Sequence, residues 1–180
     1  MSKSVLVICT SMRRNSNSEI LADAFIAGAQ AAGNTVEKLT LRDKTISFCR
    51  GCMACMKLQR CVMQDDAGEI VRKMHDADVI AFATPIYYFE MSGQMKTLLD
   101  RSTPLYTSDY KFRDIYMLTA AAEAEAETPQ IAECGLQGWI KCFKHARLAG
   151  TVFAGSVNEP GDVKTHPAME QAREMGAAIG

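Results

Sequence analysis

The sequence has no apolar run approaching the roughly 20 residues that a membrane-spanning helix needs. Its first apolar run, Val5-Leu6-Val7-Ile8-Cys9, is too short for a signal-peptide core, and Arg13 and Arg14 follow it rather than precede it. The expected location is therefore the cytoplasm, with no membrane partner. Excess charge is also missing. Lysine plus arginine is 20 and aspartate plus glutamate is 21, a net charge of −1, which argues against a nucleic-acid partner. There is no internal repeat, linker or low-complexity tract, and 180 residues fit one domain spanning 1–180. Cysteine, by contrast, is abundant. Seven is an odd number, which disfavours a simple disulfide framework, and four of the seven fall within 13 residues.

Short β-rich runs alternate with helical patterns along the chain. Strands are expected at 4–9, 36–41, 79–83, 115–120 and 149–154, with Thr84-Pro85 ending the third. The first helix carries Leu21, Ala24, Phe25 and Gly28 on one face and stops at Gly33-Asn34. Asp66 with Glu69 is a capping-box start for the second helix, Ser92 a cap for the third and Thr128-Pro129 a start for the fourth. The last helix is expected at 167–178. Five strands with helical crossovers give an α/β fold, a parallel sheet of order 2-1-3-4-5 with helices on both faces. Ligands of such sheets sit beyond the carboxyl ends of the strands, beside strand 1.

The loop after the first strand, Thr10 to Ser18, contains no glycine, so it is neither a Walker loop nor a dinucleotide fingerprint. It carries hydroxyls, two asparagines and two arginines at a helix N-terminus, where free N–H groups and the helix dipole favour an anion. It reads either as a phosphate cradle or as a polar turn with a serine cap. After the third strand come Ile86-Tyr87-Tyr88-Phe89, which either stack on a flat heteroaromatic group or close the end of the core.

The segment Thr84-Pro-Ile-Tyr…Met91-Ser-Gly-Gln-Met-Lys…Leu99-Asp-Arg101, with Ser11…Arg13…Ser16-Asn17-Ser18, resembles the NAD(P)H-dependent FMN reductases. The resemblance implies a flavodoxin-like three-layer sandwich with bound FMN and NAD(P)H as co-substrate. It implies Ser11, Arg13, Ser16, Asn17 and Ser18 around the flavin phosphate, and Pro85, Ile86, Tyr87 and Tyr88 against the isoalloxazine. The loop around Thr119 to Glu123 would approach the flavin's other side. The implied enzyme is a flavin-dependent oxidoreductase, a homodimer or homotetramer. It would pass electrons by ping-pong to a small-molecule acceptor such as a flavin or quinone. No catalytic side chain is assigned, because hydride transfer to a flavin requires none.

Cys49, Cys52, Cys55 and Cys61 form C-x2-C-x2-C-x5-C. Three cysteines at intervals of three wrap a compact object, as in bacterial ferredoxin cubane sites. The spacing resembles that of iron–sulfur flavoproteins, which implies a [4Fe–4S] cluster on these four residues and an electron-carrier alternative. Zinc, reactive thiols and small apolar packing residues are the competing readings. Cys9, Cys134 and Cys142 are expected in the core or on helix faces. His75, His145 and His166 have no partner at metal or triad spacing.

Overall fold

Ser4–Cys9 forms β1, and its side chains alternate between two hydrophobic layers. Val5, Val7 and Cys9 face one side of the sheet, and Leu6 and Ile8 face the other. The structure is a computed structural model and describes residues 2–180. Around β1 the parallel strands β2 (Thr35–Thr40), β3 (Val79–Tyr87), β5 (Asp114–Ala120) and β6 (Arg147–Ala154) run in the order β2-β1-β3-β5-β6. These five give the expected 2-1-3-4-5 order. A sixth, two-residue strand, β4 (Glu90–Met91), pairs antiparallel with the end of β3.

Helices α1 (Asn17–Ala31) and α6 (Ala168–Ala177) cover the Val5/Val7 face, burying Leu21, Phe25, Ala168 and Ala172. Helices α3 (Ala67–Asp76), α4 (Gly93–Arg101) and α5 (Gln130–Ile140) cover the other with Ile70, Met74, Leu98 and Leu136. Each buried leucine- or phenylalanine-sized side chain contributes about 1.5–3 kcal/mol. The architecture is the flavodoxin-like α/β sandwich expected from the alternation.

Three local expectations are corrected. Thr84-Pro85 does not end β3. The strand runs on to Tyr87, with Pro85 opposite Ala120 of β5. Asp66 does not cap α3. Its carboxylate accepts from the Thr45 N–H at 2.6 Å, while Asp65 accepts from the Ala67 N–H at 3.1 Å and Glu69 pairs with Lys73. The Thr128 hydroxyl does not cap α5. It is buried without a hydrogen-bond partner among the described residues. The Ser92 cap forms as expected, its Oγ accepting from the Met95 N–H at 3.3 Å. The long cysteine stretch also holds a single-turn helix, α2 (Cys55–Leu58), which the sequence pattern does not indicate.

Candidate functional site

At the carboxyl end of β1, the chain turns through Ser11–Asn15 into α1. Ser16 caps that helix, its Oγ accepting from the Glu19 N–H. The Ile20 N–H is taken by the Ser16 carbonyl. The N–H groups of Asn17 and Ser18 have no partner among the described residues, so the helix start presents free donors. Above them opens a cleft of 180 Å³ lined by Ser11, Arg13, Ser16, Asn17, Ser18, Pro85, Ile86, Tyr87 and Glu123. The loops after β1, β3 and β5 thus meet as the topology requires.

The individual side chains are already partly engaged. Ser11 Oγ accepts from the Arg13 N–H, and the Ser16 and Ser18 hydroxyls lie 3.4 Å apart. Arg13 donates to the Asn158 carbonyl at 2.9 Å and lies 3.6 Å from the Glu159 carboxylate. The Asn17 amide is committed. It donates to the Glu159 carbonyl and accepts from the N–H groups of Gly161 and Val163. What Asn17 offers the cleft is its backbone N–H.

Two residues expected in the flavin site stand elsewhere. Thr119 is buried inside β5 and donates to the Val152 carbonyl, away from the cleft wall. Tyr88 lies at the tip of the β3–β4 turn, fully exposed, and lines a neighbouring 330 Å³ pocket with Tyr87, Phe89, Glu123 and Thr128. Ala120–Ala122, within the 119–123 loop expected there, do line the cleft, whereas Val157, Asn158 and Pro160 of the loop after β6 line it without having been indicated by the sequence. Their contribution is through backbone and shape. Only their place beyond strand ends could have flagged them.

A buried hydroxyl cluster braces this end of the sheet. Ser92 Oγ lies 2.9 Å from Thr10 Oγ1 and 3.2 Å from Thr84 Oγ1, and the Ser92 N–H donates to Thr84 Oγ1. It ties the end of β1, β3 and the start of α4 into one rigid corner. Free helix-start donors, hydroxyls and one arginine beside an apolar wall of Pro85 and Ile86 are a donor set that fits a phosphate attached to a planar ring system.

The four motif cysteines line a second pocket with Met53, Val62, Met63, Arg101 and Pro104. Cys49 and Cys52 are exposed, while Cys55 and Cys61 are half-buried. Burial pushes the Cys55 thiol up, and the neighbouring Cys61, Cys52 and Cys49 add to that shift. Among the described residues, no three cysteine, histidine or acidic side chains converge as ligands of one metal ion. A single tetrahedral zinc would hold its thiolates roughly 3.8 Å apart, given Zn–S bonds of about 2.3 Å. A polynuclear cluster spreads its ligands further. The fit to such a group rests on Arg101, whose side chain is 1% exposed. Its Nη2 donates to Cys61 Sγ at 3.4 Å, and its Nε has no partner among the described residues. A buried cationic donor beside four thiols suits an anionic thiolate-bound group.

The other cysteines are unremarkable in place. Cys9 is buried in β1, and desolvation pushes its thiol up to about 12. Cys134 and Cys142 are exposed. His75 bonds Asp76 and Asp109, and His166 accepts from the Ala168 N–H at the start of α6.

An iron–sulfur flavoprotein of Archaeoglobus fulgidus is 35% identical over 97 residues, which cover 54% of this chain and 44% of its own. The chain spans about half the length of the iron–sulfur flavoproteins it matches. The Bacillus subtilis protein YwqN, provisionally described as an NAD(P)H-dependent FMN-containing oxidoreductase, is 27% identical with 95% of both chains covered. In fold, the NAD(P)H:quinone oxidoreductase of Methanothermobacter marburgensis superposes with a TM-score of 0.73 at 19% identity, covering 98% of this chain and 96% of that one. The sequence model of the NADPH-dependent FMN reductase family matches residues 4–133, from β1 into α5 and across the cleft-lining loops after β1, β3 and β5, and the chain belongs to that family.

Proposed function

We propose that the chain is an FMN-dependent oxidoreductase that takes hydride from NAD(P)H and passes electrons to a small acceptor, a flavin, quinone or similar, in ping-pong fashion. The observation that carries this is the convergence of the free α1 amides, the Ser11–Ser18 loop and the Pro85–Tyr87 segment on one cleft. Bound FMN would supply the hydride-accepting ring. The Asn17 and Ser18 N–H groups with the Ser11, Ser16 and Ser18 hydroxyls would hold its phosphate, and Arg13 would offset the charge. Pro85, Ile86 and Tyr87 would orient the ring, with Tyr88 and Glu123 edging the pocket beside it. Both substrates would use that same open side in turn. This reading assigns no proton-transferring side chain, because hydride transfer to a flavin requires none.

A second reading is favoured by the four-cysteine pocket with its buried arginine, and by relatives described as iron–sulfur flavoproteins. Here Cys49, Cys52, Cys55 and Cys61 hold a [4Fe–4S] cluster, and the electrons leave toward a redox protein. One experiment separates the readings: an absorption spectrum of protein purified without oxygen, with iron and acid-labile sulfide assayed on the same sample. Flavin bands without iron support the first. Flavin over a broad iron–sulfur absorption, with about four irons per chain, supports the second. Protein that neither retains nor binds added FMN would overturn both.

A further inference from the structure

Arg101 is the largest of the fully buried side chains, and burying a guanidinium needs a reason. Its protons can be accounted for one by one. One from each Nη forms a fork on Asp65, with Nη1 to Oδ2 at 2.6 Å and Nη2 to Oδ1 at 2.9 Å. The other Nη1 proton goes to the Ser47 carbonyl at 2.7 Å. The other Nη2 proton goes to Cys61 Sγ, and the Nε proton has no partner among the described residues. Asp65 is fixed in turn by the N–H groups of Ser47 and Ala67. Three of these bonds suffice to tie α4 to the 45–67 stretch. The fourth is directed at a thiol of the cysteine motif, and the guanidinium plane cannot turn away without breaking the fork.

We propose that Arg101, locked by Asp65, is a positioning residue that raises the reduction potential of a cluster bound by the four cysteines. The proposal rests on the cluster reading above. Reduction adds an electron to a group whose charge is shared by its thiolates. A donor on a ligand sulfur, carrying positive charge, stabilises the electron-rich form more than the oxidised form. Asp65 acts in the opposite sense, because its carboxylate cancels part of that field. Arg101 also ends α4, whose first residues follow the Ser92 corner beside the cleft. At 1.5 Å per residue, the nine residues of this helix separate its start, next to the Ser92 corner, from Arg101 by roughly 13 Å along its axis.

The test uses anaerobically reconstituted full-length protein: wild type, Arg101→Lys, Arg101→Gln and Asp65→Asn. Iron and sulfide per chain and the flavin spectrum are measured first, then the one-electron midpoint potential of the cluster by spectroelectrochemistry. Arg101→Gln is expected to lower the potential by about 59 mV, a tenfold change in the reduction equilibrium. Arg101→Lys, which keeps charge but not the fork, should fall between. Asp65→Asn should raise it. A purely structural role would move both substitutions the same way or change only iron content. Either result overturns the proposal, as does an unchanged potential in iron-replete Arg101→Gln. Should Arg101→Gln fail to load iron, the opposite signs of Arg101→Lys and Asp65→Asn decide. Wild-type protein that holds flavin but no iron refutes the cluster reading and this proposal with it, whereas unchanged potentials in loaded variants refute the proposal alone.

Discussion

Arg13 divides one guanidinium between two tasks. It lines the cleft, and it latches the loop after β6 through the Asn158 carbonyl and Glu159. Arg13→Ala is expected to weaken FMN binding tenfold to a hundredfold, the loss of one charge-assisted hydrogen bond of about 1.5–3 kcal/mol. Quenching of FMN fluorescence on binding measures this. Unchanged affinity would leave Arg13 a latch and nothing more. The neighbouring residues mark how far the sequence can be read at this scale. Serines and arginine after a first strand mark this loop as a candidate anion site, with a polar turn as the competing reading. The commitment of the Asn17 amide cannot be read there, because its partners Glu159, Gly161 and Val163 are distant in sequence and meet it only after folding. Thr119 fails for a related reason. A threonine near a strand end is as fit to bond the next strand as to face a ligand, and here the Val152 carbonyl takes it.

At the scale of elements, apolar alternation located every strand of the parallel sheet, whereas the ends were set by tertiary pairing. β3 passes through Pro85 because β5 lies alongside it, which local proline chemistry does not foresee. The turn beyond is stranger still. Tyr88 and Phe89 both have positive φ, 52° and 65°, in a two-residue hairpin loop where Asn-Gly is the ordinary choice. Such conformations cost non-glycine residues roughly 1–2 kcal/mol each, so two aromatics held there mark the edge of the candidate site rather than an economical turn. Helix packing carries a sharper requirement. A Cβ on Gly28 of α1 would lie 1.9 Å from the Arg173 carbonyl oxygen, and one on Gly176 of α6 would lie 2.0 Å from that of Phe25. The helices cross backbone to backbone, with no flexible side chain to yield. Gly28→Ala should therefore destabilise the fold by about 3 kcal/mol or more by urea denaturation, the upper range of overpacking costs. Gly68→Ala on α3, with nothing within 4 Å of the new methyl, is the control and should be neutral or stabilising through helix propensity. Equal effects of the two substitutions would refute the close crossing.

For the whole molecule, near-balanced charge leaves apolar exposure as the main guide to association. Tyr88 is 101% exposed and Phe48 80%, with Met12, Met53, Tyr87 and Phe89 each about half exposed. Tyr87, Tyr88 and Phe89 stand at the cleft and the pocket beside it, while Met12 and Phe48, on the loops after β1 and β2, line a further pocket. The cleft itself has too little volume to enclose a flavin and a second substrate, so a monomer would leave both largely in water. A second copy seated on this rim would cover the aromatic turn and close the site. A standard interface hides roughly 800 Å² per partner, under a tenth of the 9094 Å² surface of this chain. Light scattering is therefore expected to give at least twice the 19.7 kDa chain mass. The double substitution Tyr88→Ser with Phe48→Ser should shift the protein toward monomer and raise KM for the reductant more than it lowers FMN affinity, since Ser11–Ser18 and the start of α1 remain intact. A wild-type monomer with full turnover would instead assign the exposed aromatics to the substrate alone, and the site would be complete within one chain.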